Sequence, residues 1–256
     1  MEESAQIENL SISLVQANTK FNSIEGNLAH LEELIESHMA KTDIFLLPEL
    51  FNTGYQLAFS TRPEAMGLLT TRWMKQMAER KNAAICGSIA ISDKGKTFNR
   101  MLFVAPNGDI QWYDKINVFK FSGEDKVFAV GERQTIFEYR GWKIKPIICF
   151  DLRFPEAVRN KKPWYDLILC SAHWPEPRIK AWDTLLKARA IENQSYLAAV
   201  NRFGNEGESH YPGHSGGFNF LGEPMRNQMT QEEIQTILFE KNALNIFRGR
   251  FPFLEN

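Results

Sequence analysis

Residues 144–156 run Ile144-Lys145-Pro146-Ile147-Ile148-Cys149-Phe150-Asp151-Leu152-Arg153-Phe154-Pro155-Glu156. The first five are the apolar run of a strand read over Lys143 to Phe150, which leads into a short helix expected from about Arg153. A strand that bends directly into a helix is a unit of layered α/β folds, and it thrusts the residue at the bend into a cleft. That residue is Cys149. At a helix N-terminus a thiol feels the positive end of the dipole, so a lowered pKa is expected. Taken alone, a buried structural cysteine is the commoner case, since free cysteine is among the most buried residue types. Cys86 and Cys170 fit that case better, each inside an apolar run: Ala84-Ile85-Cys86-Gly87 and Ile168-Leu169-Cys170.

Outward from this stretch, strand and helix patterns take turns. Leu10 to Ala17 alternates apolar and polar residues. Ser23 to Met39 places Ile24, Leu28, Leu31, Leu34 and Ile35 at helical spacing. Ile44 to Leu47 is a short strand stopped by Pro48, and about Pro63 to Arg80 is helical. Ala83 to Ile91, Arg100 to Ala105 and Ile110 to Tyr113 are strands, with turns at Asp93-Lys94-Gly95 and Pro106-Asn107-Gly108. Beyond Cys149, strands over Tyr165 to Cys170 and Ser195 to Arg202 flank a helix over Pro177 to Asn193. Gly216 to Phe220 and Ile234 to Glu240 close the pattern. Helices mixed with hairpin and crossover strands indicate a layered α/β domain with mixed sheets. No linker or repeat divides the chain. One domain over 1–256 is expected, with a C-terminal extension at about 242–256. Phe247, Phe251 and Phe253 make that extension too aromatic for a free tail; it docks on its own domain or on a neighbouring subunit.

With 256 residues, 43% of them hydrophobic, the chain can bury a full core without disulfide staples. A net charge of -1 argues against a nucleic-acid surface or an acidic-lipid partner. Three cysteines do not make a disulfide framework and suit a reducing compartment. The N-terminal residues lack the basic and apolar regions of a signal peptide, and no apolar run reaches the ~20 residues of a membrane span. A cytoplasmic protein without membrane contact is expected. The five histidines show no metal-ligand spacing, so neither metal nor cofactor is expected.

Two further residues stand at strand ends. Glu49 follows Phe45-Leu46-Leu47-Pro48, where surrounding apolar surface would raise a carboxyl pKa as a general base needs. Lys115 ends Gln111-Trp112-Tyr113-Asp114. Alone, each reads as an ordinary surface residue. Together, base, cation and nucleophile at strand ends can meet on one sheet rim, and they are the parts needed to attack a carbonyl.

These residues lie in three ordered blocks: Leu47-Pro48-Glu49-Leu50-Phe51, Tyr113-Asp114-Lys115 and Ile148 to Glu156. The chain here resembles the nitrilase superfamily of carbon–nitrogen hydrolases, and the likeness runs from about Leu10 to Phe239. The resemblance implies an α-β-β-α sandwich, two mixed sheets flanked by helices. It implies a Glu-Lys-Cys triad of Glu49, Lys115 and Cys149, with a supporting glutamate at Glu124. Within the superfamily the chain is most similar to omega-amidases of the bacterial YafV type, which cleave the terminal amide of 2-oxo acids. The resemblance implies a small amide and water as reactants and a homodimer as the assembly. Related chains often carry Asn-Trp-Pro and Gly-Asp-Ser where this one has His173-Trp174-Pro175 and Gly213-His214-Ser215, and both changes are expected to flank the pocket. With the backbone N–H of Phe150 as second oxyanion donor, an Arg fork is wanted for a substrate carboxylate; Arg153, Arg178 and Arg202 are candidates. Arg153 can equally brace the helix start. Tyr55 and Trp174 either wall the pocket or simply pack.

Gly213-His214-Ser215-Gly216-Gly217 matches the G-x-S-x-G serine elbow, but a loop-like stretch precedes it and a strand follows. No histidine comes after His214, as that serine-hydrolase order requires. A binding protein that keeps the fold without turnover is disfavoured by the complete triad. The same chemistry on another amide or a carbamoyl group stays open.

Overall fold

The computed structural model describes residues 9–55 and 62–255. Residues 1–8, read above for a leader, lie outside the described residues. The first half comprises β1 (Leu10–Gln16), α1 (Ile24–Ser37), β2 (Ile44–Leu46), α2 (Leu69–Lys81), β3 (Ala84–Asp93), β4 (Lys96–Val104) and β5 (Ile110–Asp114). The second comprises β6 (Phe137–Tyr139), β7 (Trp142–Ile148), α3 (Pro155–Val158), β8 (Leu167–Ala172), α4 (Ile179–Glu192) and β9 (Tyr196–Asn201). There follow β10 (Phe203–Glu206), β11 (Ser209–Pro212), β12 (Gly216–Phe218), β13 (Glu233–Phe239) and α5 (Lys241–Arg250).

One sheet has the strand order β13-β1-β2-β3-β4-β5, the other β12-β9-β8-β7-β6. Each is built alike. Three adjacent parallel strands, β1-β2-β3 and β7-β8-β9, are flanked by antiparallel partners. The period-2 pattern of β1 explains the layering. Leu10, Ile12 and Leu14 point into the core between the sheets, whereas Val15 packs with α1 and α2 on the outer face. A third apolar cluster joins the outer face of the second sheet to α3 and α4 through Trp182, Leu186 and Ala190. The result is the expected α-β-β-α sandwich. Each large apolar side chain withdrawn from water here stabilises it by about 1.5–3 kcal/mol.

Several boundaries differ from the sequence pattern. The helix expected from Pro63 begins only at Leu69. Glu64 instead bridges to Ile91 at the sheet, and its carboxylate accepts the Thr70 N–H at 2.8 Å, one of the donors a helix start leaves unpaired. The stretch 208–212, read as loop, contains β11, which pairs with β10 in a hairpin of its own. The short helix after Cys149 is a 3₁₀ turn over Cys149–Arg153 before the four-residue α3. The C-terminal extension forms α5 and docks on its own chain. Leu244 enters the core between the sheets, Phe247 stacks on Phe220 at 4.4 Å, and Arg248 donates to the backbone carbonyl of Tyr165 at 2.6 Å.

Candidate active site

The C-terminal ends of the parallel strands share one rim. Glu49 follows β2, Cys149 follows β7, His173 follows β8 and Arg202 follows β9. The two sheets are tied together at this rim: the Ser171 hydroxyl donates to the Leu47 carbonyl at 2.7 Å, and the Glu49 N–H to the Ala172 carbonyl at 3.4 Å. Lys115 arrives from the end of β5, where its own N–H donates to the Asn99 carbonyl on β4 at 3.0 Å.

These ends bring four buried groups together. The Lys115 ammonium donates to Glu49 Oε1 at 2.8 Å and to both oxygens of Glu124 at 2.8 and 3.0 Å. Asn99, which sequence reading missed, donates to Glu49 Oε1 at 2.8 Å and to Glu124 Oε1 at 3.3 Å. Its signal was present, since strand alternation puts Asn99 on the same inward face as Met101 and Phe103. The second Glu49 oxygen, Oε2, is buried without a hydrogen-bond partner among the described residues. An unpaired carboxylate oxygen inside a protein is costly; here the Cys149 thiol is the group placed to hydrogen-bond to Glu49.

Electrostatics follow from this burial. Desolvation raises the Glu49 carboxyl pKa; Lys115 opposes the shift and Glu124 adds to it. Desolvation also works against the Lys115 ammonium, but Glu49 and Glu124 outweigh it and hold the lysine well above its usual range. The Cys149 thiol is pushed well up, by burial first and by Glu49 next. The lowered thiol pKa expected from a helix dipole is therefore wrong for this site. A five-residue 3₁₀ turn carries little dipole, and a neighbouring carboxylate disfavours a second negative charge. Cys149 itself sits at φ 44°, left-handed for a non-glycine residue, a strain of about 1–3 kcal/mol of the kind found at functional bends.

A cavity of about 250 Å³ opens onto Cys149 and Lys115. Tyr55, Phe150, Arg153, His173, Trp174 and Arg178 are among its walls. The Arg153 guanidinium lies over the Trp174 ring at 4.9 Å, and Arg178 lies over Phe119 at 5.2 Å. Among the described residues neither forms an ion pair, so Arg153 does not brace its helix through a carboxylate. Arg202 stands apart. It is buried behind the wall, donating to Glu206 at 2.9 Å and to the Thr19 carbonyl at 2.8 Å, and it does not line the cavity. His173 belongs to the wall as expected. Its ring packs between Tyr55 and Tyr211, its Nε2 meets Glu206 at 3.1 Å, and its carbonyl accepts the Cys149 thiol at 3.9 Å. His214 does not flank the cavity; it faces Asp183 on α4 at 3.1 Å. The Ser215 hydroxyl is buried against the Asn201 backbone, which removes the serine-elbow reading.

The carbon-nitrogen hydrolase family model matches residues 11–240. The chain is 38% identical to an omega-amidase YafV of Yersinia enterocolitica, over 95% of this chain and 94% of that one. It is 33% identical to a 2-oxoglutaramate amidase of Bacillus subtilis, over 80% of this chain and 81% of the relative. Among solved structures, a CN-hydrolase superfamily protein of Xanthomonas campestris, which carries an arsenic adduct in its active site, superposes with a TM-score of 0.93 at 38% identity, covering 96% of both chains. With the two-sheet sandwich and the rim of buried charges in place, the chain belongs to the carbon–nitrogen hydrolase family.

Proposed function

We propose that this hydrolase cleaves the terminal amide of a small 2-oxo acid, such as 2-oxoglutaramate, to the acid and ammonia through a thioester on Cys149. The observation that carries the reading is the open Glu49 oxygen beside a thiol at a strained bend, with the Lys115 ammonium held against the same carboxylate. Glu49 takes the thiol proton as sulfur attacks the amide carbon. Its raised pKa suits it to hold that proton. The oxyanion is stabilised by Lys115 and the backbone N–H of Phe150. Protonated Glu49 then gives its proton to the leaving nitrogen, and ammonia departs. A water deprotonated by Glu49 attacks the thioester, releases the acid and restores the thiol. Glu124 and Asn99 hold Glu49 and Lys115 in place.

The substrate class draws on the names of the relatives and on two arginines at the cavity with no carboxylate partner among the described residues. A fork of this kind suits a terminal carboxylate. A homodimer, expected by analogy, is checked by light scattering on the purified protein, and a cytoplasmic location by cell fractionation. The decisive assay is ammonia release from 2-oxoglutaramate, 2-oxosuccinamate, glutamine and a simple aliphatic amide. Turnover of the two oxo-acid amides, lost in Cys149→Ala with the circular dichroism spectrum unchanged, is the expected outcome. Turnover that survives Cys149→Ala removes the thioester mechanism; turnover confined to other amides removes the substrate class.

A further inference from the structure

Asp151 lies two residues past the nucleophile, and no step above uses it. It is fully buried, yet its two oxygens accept four hydrogen bonds. Oδ2 accepts the Ile148 N–H at 3.0 Å and the Tyr113 hydroxyl at 2.9 Å. Oδ1 accepts both donors of Asn117, the backbone N–H at 2.8 Å and Nδ2 at 2.9 Å. The placement of these donors is informative. Tyr113 precedes Lys115 by two residues and Asn117 follows it by two, so Lys115 is bracketed by side chains tied to one carboxylate. The Tyr113 hydroxyl also accepts the Ile116 N–H at 3.3 Å, which tightens the same bracket. The fourth donor, Ile148, immediately precedes Cys149, and its bond closes the 3₁₀ turn that holds Cys149 at positive φ. One carboxylate thus fixes the end of β5 against the end of β7, two strands that belong to different sheets.

We infer that Asp151 is a positioning residue that sets the Lys115 ammonium against the Cys149 thiol. The inference rests on the proposed roles of those two groups. A neutral core residue would fill the space but could not accept four donors. Asparagine there would turn an NH₂ group toward one of the two donor pairs. The physical consequence is displacement of the cation or the nucleophile by a fraction of an ångström to an ångström, which costs up to about 10²-fold in rate.

The test reads Cys149 directly, so that it does not depend on the substrate. Iodoacetamide alkylation of Cys149 is followed by peptide mass spectrometry across pH in wild type, Asp151→Asn, Tyr113→Phe and Asn117→Ala, beside kcat and KM for whichever amide is turned over. The expected result is a displaced alkylation pH profile in all three variants. A kcat loss of about tenfold or more is expected for Asp151→Asn and a smaller one for the two partners, with KM changed much less. Should Asp151→Asn fail to fold, the two partner variants decide the question alone. Wild-type alkylation profiles and kcat in variants that lose only melting temperature would overturn the inference and leave Asp151 a structural tie. Failure of every amide as substrate would sink the functional reading but leave the alkylation result interpretable.

Discussion

Glu49 and His173 show how differently burial acts on two titratable side chains at one rim. Burial raises Glu49 toward the value a general base needs, whereas it presses His173 down to about 4 from an ordinary 6.5. Glu206 favours the imidazolium and Arg202 disfavours it, while Tyr55 packs tilted against the ring and Tyr211 meets it at right angles. Between those two pKa values the unfolded chain binds a proton that the folded chain refuses. Stability therefore falls as pH drops through 6.5, and the loss is complete below about 4. The full effect is about 3 kcal/mol. Urea midpoints measured from pH 7 to 4 are expected to fall less steeply in His173→Asn than in wild type; parallel profiles would show that His173 is not the group responsible. Legibility at this scale was uneven. Cys149, Glu49 and Lys115 could be read because each ends an apolar strand. Glu206 could not, since its partner lies 33 residues away in the chain; strand alternation marks Asn99 as inward, but not its pairing with Glu49, 50 residues away.

Among the elements, β5 and its neighbours decide where the cation stands. Gly131 donates its N–H to the Lys115 carbonyl at 2.9 Å, and a Cβ on Gly131 would lie 2.1 Å from the Asp114 carbonyl oxygen. That atom is backbone and cannot swing aside. Gly131→Ala is expected to lower stability by about 1–3 kcal/mol, and to reduce kcat in the protein that still folds because the strand end carrying Lys115 must move. Unchanged kcat would show that the strand end absorbs the methyl elsewhere. Helix α5 gives the opposite case. Leu244 is buried in the core between the sheets, but α5 contributes no wall to the cavity. Leu244→Ala is expected to cost about 2–5 kcal/mol in denaturant unfolding while kcat per folded molecule is retained. Loss of kcat at full folding would connect the tail to the site. The strands and long helices were legible from periodicity. The shortened α2, the hairpin β10–β11 and the 3₁₀ turn were not, because side-chain capping, a two-residue turn with Gly207 at positive φ and a buried aspartate set them.

Over the whole molecule, the site exists because two sheets meet along one rim. Glu49 and Lys115 come from one sheet and Cys149 and His173 from the other. The Ser171 hydroxyl is a direct tie between them near the reacting groups. Ser171→Ala leaves the buried Leu47 carbonyl without that donor, at about 1–3 kcal/mol, and is expected to lower kcat more than it raises KM. A change in stability alone would show that core packing holds the sheets in register without this bond. The amino-acid sequence by itself determined the layered α/β class, the strand ends that carry the three reacting side chains and the family to which they point. These depend on local periodicity and on short blocks whose chemistry is complete within a few residues. Tertiary structure decided the rest. It raised the thiol that a dipole argument had lowered, turned Arg202 and His214 away from the cavity, folded the aromatic tail onto its own chain and gathered four donors on Asp151. The reason is physical: desolvation and charge coupling depend on what surrounds a group in space, and those surroundings come from strands far apart in the chain.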